Sequence, residues 1–381
     1  MKWIADQRSF DDAMSSAAGQ SVLAIDTEAD SLHSYFDKVC LIQMTANGDD
    51  LVIDPLSGID LERFGDILAD PNVTKILHGG DYDLRILNRD FGYTVTNLID
   101  TMIAAQLLGY ESFGLAALLE RHFGVKVNKA HQRADWAMRP LTPEMLDYAS
   151  MDTRYLVALA DKLREELTAL GRWEWAVEEF GRLEKIRFRE ADEDAEPFRK
   201  LKNIGNLDRR SLAILRDLHG WRDGLARSAD RPPFKIIGND TIIEIARAKP
   251  KSREELAAVK TMSRYHLDRF GRELLSIIRR AMDIPEEQLP ERGESKAWIR
   301  DKALENRIDK LKKVRDRVAA GLKIDPSVIA PRHVLTAVAT IQPKTAEELD
   351  QIPAMREWQK RLLAGPLLEA LKPAPQNAKL F

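Results

Sequence analysis

The sequence of 381 residues predicts an α/β domain with a mixed central sheet, followed by two small all-α domains. Three observations lead to this expectation. Between residue 21 and about residue 165, short β-rich runs alternate with longer runs of helical periodicity. The charged stretch at residues 189–200 then contains almost no large apolar side chains, which is typical of a linker. After it, one pattern of residues occurs twice, 93 positions apart.

Four strands are expected in the first part of the chain, because short apolar and β-branched runs there end in polar or glycine-containing turns. The predicted strands are residues 21–26, 38–47, 50–55 and 73–79. A polar turn around Asp30 to Lys38 separates the first two. A meander of strands followed by a mixed α/β order indicates a sheet flanked by helices.

Helices are expected wherever apolar residues recur at positions i, i+3 and i+4. The predicted helices in the first domain are residues 61–70, 81–92, 100–109, 114–124 and 143–170. Gly92 is placed to end the second of these, since glycine adopts the left-handed conformation that closes many helices.

The internal repeat is clearest in the segment from Pro250 to Leu256, which matches Pro343 to Leu349. The same offset aligns three further pairs: Ile236 with Ile329, Arg222 with Arg315, and Ala226 with Ala319. Each copy is expected to contain a long helix, a proline-containing turn and a short helix, and then the start of another helix. Ser252 and Thr345 are placed as N-caps of that last helix.

The charge is divided unevenly between the two halves of the chain. Counting Lys and Arg against Asp and Glu, residues 1–200 carry a net charge of −14, and residues 201–381 carry +11. A basic half of this kind favours a polyanionic partner.

Composition argues against a membrane or secreted protein. The longest apolar runs are too short to span a bilayer, and the first residues lack the layout of a secretory signal. The single cysteine, Cys40, excludes an internal disulfide framework. We therefore expect a cytoplasmic protein, and a monomer, since no heptad pattern is evident.

Two acids at the end of the first strand indicate a possible site. Asp26 and Glu28 are two residues apart, so they share one face of the strand while Thr27 points the other way. Taken alone, the pair could simply be a polar strand end leading into a loop.

Two further segments add acids in suitable contexts. Asp83 lies in the first turn of a predicted helix after His78-Gly79-Gly80, and Asp81 is a second acid in that turn. Tyr148 and Asp152 are four residues apart on a predicted helix and therefore share a face. Carboxylates that converge without Lys or Arg need divalent cations, and an all-oxygen ligand set favours Mg²⁺ or Mn²⁺.

In this order and in these contexts, the three segments resemble the exonuclease motifs of the DEDD superfamily in its tyrosine-containing branch. The repeat resembles two tandem HRDC domains, the helicase and RNase D C-terminal domains. The whole arrangement is similar to that of the bacterial ribonuclease D family. Further matching stretches are Leu41-Ile42-Gln43, Asp100-Thr101, Asp135-Trp136 and Arg139-Pro140-Leu141-Thr142.

The resemblance implies a DnaQ-like, or RNase H-like, exonuclease domain at residues 1–195 and HRDC domains at 203–287 and 296–373. It implies a 3′→5′ exoribonuclease that uses two divalent cations to release 5′-mononucleotides from precursor tRNA and other structured RNAs. The implied metal ligands are Asp26, Glu28, Asp83 and Asp152. Tyr148 is then the residue that positions the attacking water, and Asp83 is preferred to Asp81.

RNA contacts are expected from residues near the motifs and from basic runs in the repeats. The candidates are Gln43, His78, Trp136, Arg139, Arg209, Arg210, Lys312, Lys313 and Arg315. A solvated helix face explains each basic run about as well, and Trp136 could equally be a core residue. Two other functions remain open at this stage: a DNA 3′→5′ exonuclease of the repair or proofreading kind, and a non-catalytic RNA-binding adaptor.

Overall fold

The computed structural model describes residues 1–128, 130–189, 196–292 and 301–372. The chain forms two compact units. The first contains residues 1–29, residues 39–188 and the C-terminal helices from residue 301 onward. The second contains residues 30–38 and the described residues from 189 to 292.

A six-stranded mixed sheet forms the centre of the first unit, with strand order β1-β4-β3-β2-β5-β6. The strands are β1 (Lys2–Ile4), β2 (Val22–Ala29), β3 (Val39–Ala46), β4 (Asp49–Ile53), β5 (Thr74–Leu77) and β6 (Leu98–Asp100). β3 runs antiparallel to β2 and β4, and the remaining pairs are parallel. The mixed sheet is confirmed, although β1 and β6 are additions, because three residues are too few to show an alternating pattern.

Eight helices cover this sheet in the described residues. They are α1 (Gln7–Ala17), α2 (Glu62–Ala69), α3 (Asp81–Phe91), α4 (Thr101–Leu108), α5 (Leu115–Phe123), α6 (Pro143–Arg154), α7 (Leu156–Ala169) and α8 (Trp173–Leu183). The single helix expected at 143–170 is wrong. It is interrupted at Tyr155, whose φ of −103° and ψ of −4° separate α6 from α7.

Alternation along β2 sends its side chains to two different layers. Leu23 and Ile25 pack in one core with residues of α1, α2 and α3. Ala24 packs on the opposite face in a second core, which includes residues of α4, α5 and α7. Asp26 and Glu28 continue the row of Ala24, so they emerge on the face that carries α6 and α7.

The helices of the second unit form the first copy of the repeat. They are α9 (Arg209–Ser228), α10 (Pro233–Ile236), α11 (Asn239–Ala248), α12 (Arg253–Ala257) and α13 (Arg264–Met282). Part of the expected linker, residues 190–195, lies outside the described residues. Its end is ordered, however: Pro197–Lys200 forms a 3₁₀ helix whose Phe198 is buried in the core of this copy.

Residues 30–38 belong to this second unit although they lie between β2 and β3 in sequence. The hydroxyl of Tyr35 donates to Asp223 at 3.0 Å. The backbone N–H groups of Tyr35 and Phe36 both donate to Asp230. The guanidinium of Arg227 lies over both aromatic rings. The turn between the first two predicted strands is therefore anchored by side chains of the first repeat copy.

The second copy of the repeat lies in the first unit. Its helices are α14 (Lys302–Leu322), α15 (Pro326–Ile329), α16 (Arg332–Ile341) and α17 (Glu357–Leu371). The N-cap expected at Thr345 is wrong, because a 3₁₀ helix at Glu347–Gln351 with its cap at Ala346 replaces the predicted α-helix. In the first copy, Ser252 does cap α12 by accepting from Glu255.

The repeat extends to individual hydrogen bonds. Arg222 donates to the carbonyl of Ile237 at 3.1 Å, and Arg315 donates to the carbonyl of Ala330 at 3.1 Å. Both donor and acceptor are thus related by the offset of 93 residues. These arginines fasten the proline-containing turn to the long helix of each copy.

The second copy packs on the exonuclease part through a contact that we call the seam, formed by Arg172, Trp175, Glu179, Arg356 and Trp358. Arg356 pairs with Glu179 at 2.8 Å, and the Trp358 indole donates to Glu179 at 3.0 Å. The rings of Trp175 and Trp358 stack at 4.8 Å. Arg172 donates to the carbonyls of Leu107 and Leu322, which end α4 and α14.

Gly109 lies beside the seam with a φ of +85°, and a Cβ there would come within 1.8 Å of the Lys323 carbonyl. The two helix ends approach so closely that only glycine fits at this position. Within the described residues, no helix combines the length and apolar character required to cross a membrane.

Candidate active site

Three of the predicted acids meet at the edge of the sheet. Asp26 and Glu28 extend from β2, and Asp152 extends from α6, which lies against the same face. Each offers one carboxylate oxygen, and these oxygens all lie within 4.8 Å of one another. Among the described residues, no lysine or arginine lowers the pKa of any of the three through its charge. The group is therefore a site at which a cation would be stabilised.

Asp83 lies close to this group but is held differently. It is buried in the first turn of α3, and its carboxylate accepts a hydrogen bond from the Thr27 hydroxyl. Thr27 points to the opposite face of β2 from Asp26 and Glu28, as the alternation predicts. Asp83 still raises the pKa of Asp26 and Glu28 through its charge. We refer to Asp26, Glu28, Asp83 and Asp152 as the acidic cluster.

Burial and mutual repulsion raise the pKa of the acids in the cluster. Burial is the largest cause throughout, and it acts together with neighbouring carboxylates on Asp26, whose pKa lies well above its usual value. The pKa of Glu28 rises to about 9, that of Asp83 to about 6 and that of Asp152 to about 7. The metal-free cluster therefore retains protons near neutral pH, and divalent cations bound by carboxylate oxygens would displace them.

Tyr148 lies one turn before Asp152 on α6 and lines the same cleft. The ring of Trp136 stacks on it at 6.0 Å, and His131 meets its ring edge-on at 6.1 Å. Burial and the nearby acids raise the pKa of Tyr148 above its usual range. The phenol consequently keeps its proton and acts as a fixed hydrogen-bonding group.

The turn that leads to Asp83 depends on Asp100, a residue with no predicted role in the site. Its buried carboxylate accepts from the backbone N–H groups of Gly79, Gly80, Met102 and Ile103. Asp100 thereby caps α4 and holds the glycine turn with one side chain. An aspartate at the start of a predicted helix is a signal for the capping role only.

His78 is oriented by the neighbouring Thr101. The Thr101 hydroxyl donates to the Leu77 carbonyl, so it accepts from Nδ1 of His78 at 2.9 Å. This arrangement leaves Nε2 of the imidazole as an acceptor. Burial also lowers the pKa of His78, which favours the neutral ring.

Asp26, Glu28 and Asp152 of the acidic cluster line a cleft of about 690 Å³. Tyr148, His78 and residues 111–117, which lead into α5, line the same cleft. Phe113 is one of these lining residues, with 37% of its surface exposed. With cations bound at the acids, a cleft that also carries an exposed aromatic ring suits a ligand that combines phosphates with flat rings.

Most of the residues predicted to contact RNA are buried or make hydrogen bonds and ion pairs within the protein. Gln43 and Trp136 are buried, with exposures of 0% and 1%. Arg139 pairs with Asp54 at 2.6 Å and also donates to backbone carbonyls. The remaining arginine candidates, Arg209, Arg210 and Arg315, donate to backbone carbonyls of their own repeat copies.

Two predicted contacts remain exposed, namely Lys312 and Lys313 on α14. Asp81, the alternative to Asp83, points outward and pairs with Arg85 at 2.8 Å. This outward orientation favours Asp83 as the acid of the cluster.

Comparison with known families matches nearly the whole chain. A family profile described as 3′-5′ exonuclease matches residues 1–168, and one described as HRDC domain matches residues 211–278 and 305–371. Ribonuclease D of Pseudomonas paraeruginosa is 30% identical over 380 residues, covering 98% of this chain and 98% of the relative.

Two solved structures are similar over almost their full length. A protein from Bifidobacterium adolescentis has a TM-score of 0.82 at 27% identity, covering 97% of both chains. RNase D of Escherichia coli, described as an exoribonuclease involved in structured RNA processing, has a TM-score of 0.72 at 28% identity. That alignment covers 97% of this chain and 98% of the E. coli chain.

Proposed function

This chain belongs to the ribonuclease D family and is a 3′→5′ exoribonuclease, and we propose that the cleft beside the acidic cluster is its active site. The observation that carries this proposal is the convergence of Asp26, Glu28 and Asp152 within 4.8 Å. Such a group is stable in the charged state only with cations bound. Carboxylate oxygens suit Mg²⁺ or Mn²⁺, and two such ions fit the inventory of four acids.

When bound, the two cations would stabilise the attacking and leaving oxygens of the phosphodiester. Asp26, Glu28, Asp83 and Asp152 are the residues that would hold them. The hydrogen bond from Thr27 keeps the Asp83 carboxylate in one orientation. The protein therefore contributes mainly by fixing four carboxylates in place before substrate arrives.

Tyr148 orients the attacking water in this mechanism. Its raised pKa keeps the phenol protonated, so the residue acts through a hydrogen bond and not as a base. The stacking contacts with Trp136 and His131 hold the ring in place. Water adds to the terminal phosphorus, the bond to the 3′ oxygen of the preceding nucleotide breaks, and a 5′-mononucleotide leaves.

The 3′ end of a single RNA strand is the substrate that this cleft would accept. Its terminal phosphodiester would lie at the acidic cluster, and its base could stack on Phe113, which lines the same cleft. We propose precursor tRNA and other structured RNAs with single-stranded 3′ tails as natural substrates. The E. coli neighbour, described as acting in structured RNA processing, supports this class.

We assign residues 1–195 to the exonuclease domain and residues 203–287 and 296–373 to two HRDC domains that bind RNA. The family matches at 211–278 and 305–371 lie inside those limits. The net charge of +11 over residues 201–381 and the exposed Lys312 and Lys313 support contact with a polyanion. Binding should then weaken steeply as salt rises, because releasing counterions into a more concentrated salt solution gains less entropy.

A monomer in the reducing cytoplasm is the proposed working state. The thiol of Cys40 is buried, and the sequence contains no second cysteine with which it could form an internal disulfide, which suits that compartment. Light scattering during size-exclusion chromatography would test the monomer directly.

The experiment that tests the function is digestion of end-labelled RNA and DNA of identical sequence with Mg²⁺, Mn²⁺ or EDTA. Wild type is compared with Asp26→Asn and Asp152→Asn, and Asp81→Asn serves as the matched control from the same turn as Asp83. We expect metal-dependent release of mononucleotides from the RNA 3′ end. Both cluster variants should lose about 10³-fold or more in rate, and Asp81→Asn should remain active.

Equal or faster digestion of DNA would reassign the substrate. Activity that survives in Asp26→Asn and Asp152→Asn, or that persists in EDTA, would refute the proposed site. A second substrate series, precursor tRNA with 3′ tails of increasing length, would show whether digestion stops at a defined end of the folded RNA.

A further inference from the structure

Gln43 is a buried amide with no hydrogen-bond partner. It lies in the middle of β3 with an exposure of 0%, and both its Nε2 and its Oε1 lack a partner among the described residues. A buried amide left unpaired destabilises a protein, whereas an apolar side chain of similar size would not. Its burial also leaves no surface with which to contact RNA. The amide therefore needs another explanation.

The register of the sheet places Gln43 directly beside the acidic cluster. β2 and β3 are antiparallel, and Asp26 is the cross-strand partner of Gln43. Directly opposed residues share one face, with their Cβ atoms about 5 Å apart. The Gln43 amide thus extends from the same face of the sheet as the carboxylates of Asp26 and Glu28.

The neighbours of Gln43 on that face show what covers it. Two residues before it, Leu41 packs in a core with Met145 and Ala149 of α6. Two residues after it, the hydroxyl of Thr45 lies 2.7 Å from that of Thr153, the residue that follows Asp152. Gln43 is therefore enclosed beneath α6, between Asp26 on the adjacent strand and the turn of α6 that carries Asp152.

We propose that Gln43 is a positioning residue that donates its amide N–H to the carboxylate of Asp26 when a divalent cation is bound. The inference rests on the proposed metal site. An amide offers two donors, and a carboxylate that holds a cation with one oxygen keeps lone pairs for a second partner. Hydrogen bonds of this kind fix the orientation of metal ligands and typically account for about 10-fold to 100-fold in metal affinity. The amide is unpaired in the metal-free protein and gains its partner on loading.

The test is titration of metal-free protein with MnCl₂ and with MgCl₂ in a calorimeter, using Gln43→Leu and Gln43→Met. Each replaces the amide with an apolar group of similar size. We expect the Kd for the cation to rise about tenfold, while the melting temperature of the metal-free protein stays unchanged or rises. Excess metal should restore most of the lost nuclease rate, because the variant lacks affinity and not chemistry.

Thr45→Val is the matched comparison on the same face of the same strand. It removes a hydroxyl that already has partners, Asp50 and Thr153, so the metal-free melting temperature should fall. A melting temperature that falls in Thr45→Val but not in the Gln43 variants would distinguish a structural role for Thr45 from a positioning role for Gln43.

A Kd within about twofold of wild type in both Gln43 variants overturns the inference, because an orienting hydrogen bond should contribute more than that to metal affinity. Failure of both variants to fold without metal also overturns it. The proposed site itself is tested by Asp26→Asn in the same titration. If wild type binds no cation, or if Asp26→Asn binds cations as tightly as wild type does, the proposed metal site is refuted and the inference is refuted with it. If only the Gln43 variants behave as wild type, the inference alone fails.

Discussion

The acidic cluster and the seam both bury charge within the first compact unit, and they do so in opposite ways. The cluster gathers carboxylates without a cationic side chain, and the pKa of each rises. In the seam, Arg356 meets Glu179, and Arg172 meets the carbonyl ends of two helices. Each of these charged side chains of the seam therefore has a partner within the protein, whereas the carboxylates of the cluster need an external cation to balance their charge.

This difference separates residues that stabilise the fold from residues that serve the reaction. Removing charge from the seam leaves a buried partner unpaired and should destabilise the protein. Removing charge from the metal-free cluster relieves repulsion and should stabilise it. The proposed site thus lies where like charges repel in the metal-free protein, and four measurements test this contrast with the seam.

The largest effect is expected at Trp358, which is 3% exposed and stacks on Trp175. Trp358→Ala should lower the free energy of unfolding by about 4 kcal/mol, since it leaves a cavity and removes one of the hydrogen bonds that Glu179 accepts. Tyr265 occupies the equivalent position in the first repeat copy but is 58% exposed. Tyr265→Ala should change the free energy by less than about 1 kcal/mol. Urea denaturation of both variants makes the comparison, and equal losses would contradict the role of the seam.

Arg172 should have the next largest effect. Its guanidinium neutralises the carbonyl ends of α4 and α14 together, where the partial negative charges of two helix dipoles meet. Arg172→Ala should cost about 3 kcal/mol in the free energy of unfolding. Arg172→Lys should recover only part of it, because an ammonium lacks the planar fork that spans two acceptors. Full recovery by lysine, measured in the same urea titration, would rule out this geometry.

The pH dependence of stability should come from the cluster. The pKa values of Glu28 and Asp152 are raised to about 9 and about 7, so protonation stabilises the folded metal-free protein at low pH. That contribution is lost progressively as pH rises above the ordinary carboxyl values, and the loss is complete for Asp152 above about pH 7 and for Glu28 above about pH 9. We expect the free energy of unfolding to fall between about pH 5 and about pH 9, because the unfolded chain has released these protons while the folded protein still binds them. Saturating Mg²⁺ should flatten the profile, and a metal-free profile that is already flat would argue against the raised pKa values.

The smallest effect has the opposite sign. Asp26→Asn, which should abolish activity, should stabilise the metal-free protein by about 1 kcal/mol at about pH 8. Thermal unfolding in EDTA measures this gain, and added Mg²⁺ should reverse the order of stability by stabilising wild type alone. A destabilised Asp26→Asn in EDTA would place the carboxylate among the structural residues.

The convergence of the acids could be predicted because it follows from local rules. Alternation along a strand places Asp26 and Glu28 together, and a separation of four on a helix places Tyr148 beside Asp152. The break at Tyr155 could not be predicted, because the apolar periodicity continues through it from α6 into α7. α7 packs on α4, and the apolar periodicity of one helix does not reveal such a tertiary contact.

Arginine roles were the least predictable part of the site. Arg209, Arg210 and Arg315 look like a nucleic-acid surface in sequence, yet each donates to carbonyls of its own repeat copy. The charge of an arginine in the sequence does not show whether its guanidinium donates to backbone carbonyls of the fold or is exposed for contact with RNA. For Arg315 a signal was available: its alignment with Arg222 across the repeat points to a role shared by both copies, and the fold is what the copies share.

The anchoring of residues 30–38 in the second unit matters for the choice of a shortened protein. A fragment that stops at residue 188 keeps Tyr35 and Phe36 but removes Asp223, Arg227 and Asp230, which hold them. The ring of Tyr35, which packs against the core of the first repeat copy, would then face solvent beside Phe36, which is already 55% exposed. Exposed apolar patches promote aggregation, so a shortened protein that keeps residues 30–38 should also keep the first repeat copy that holds them.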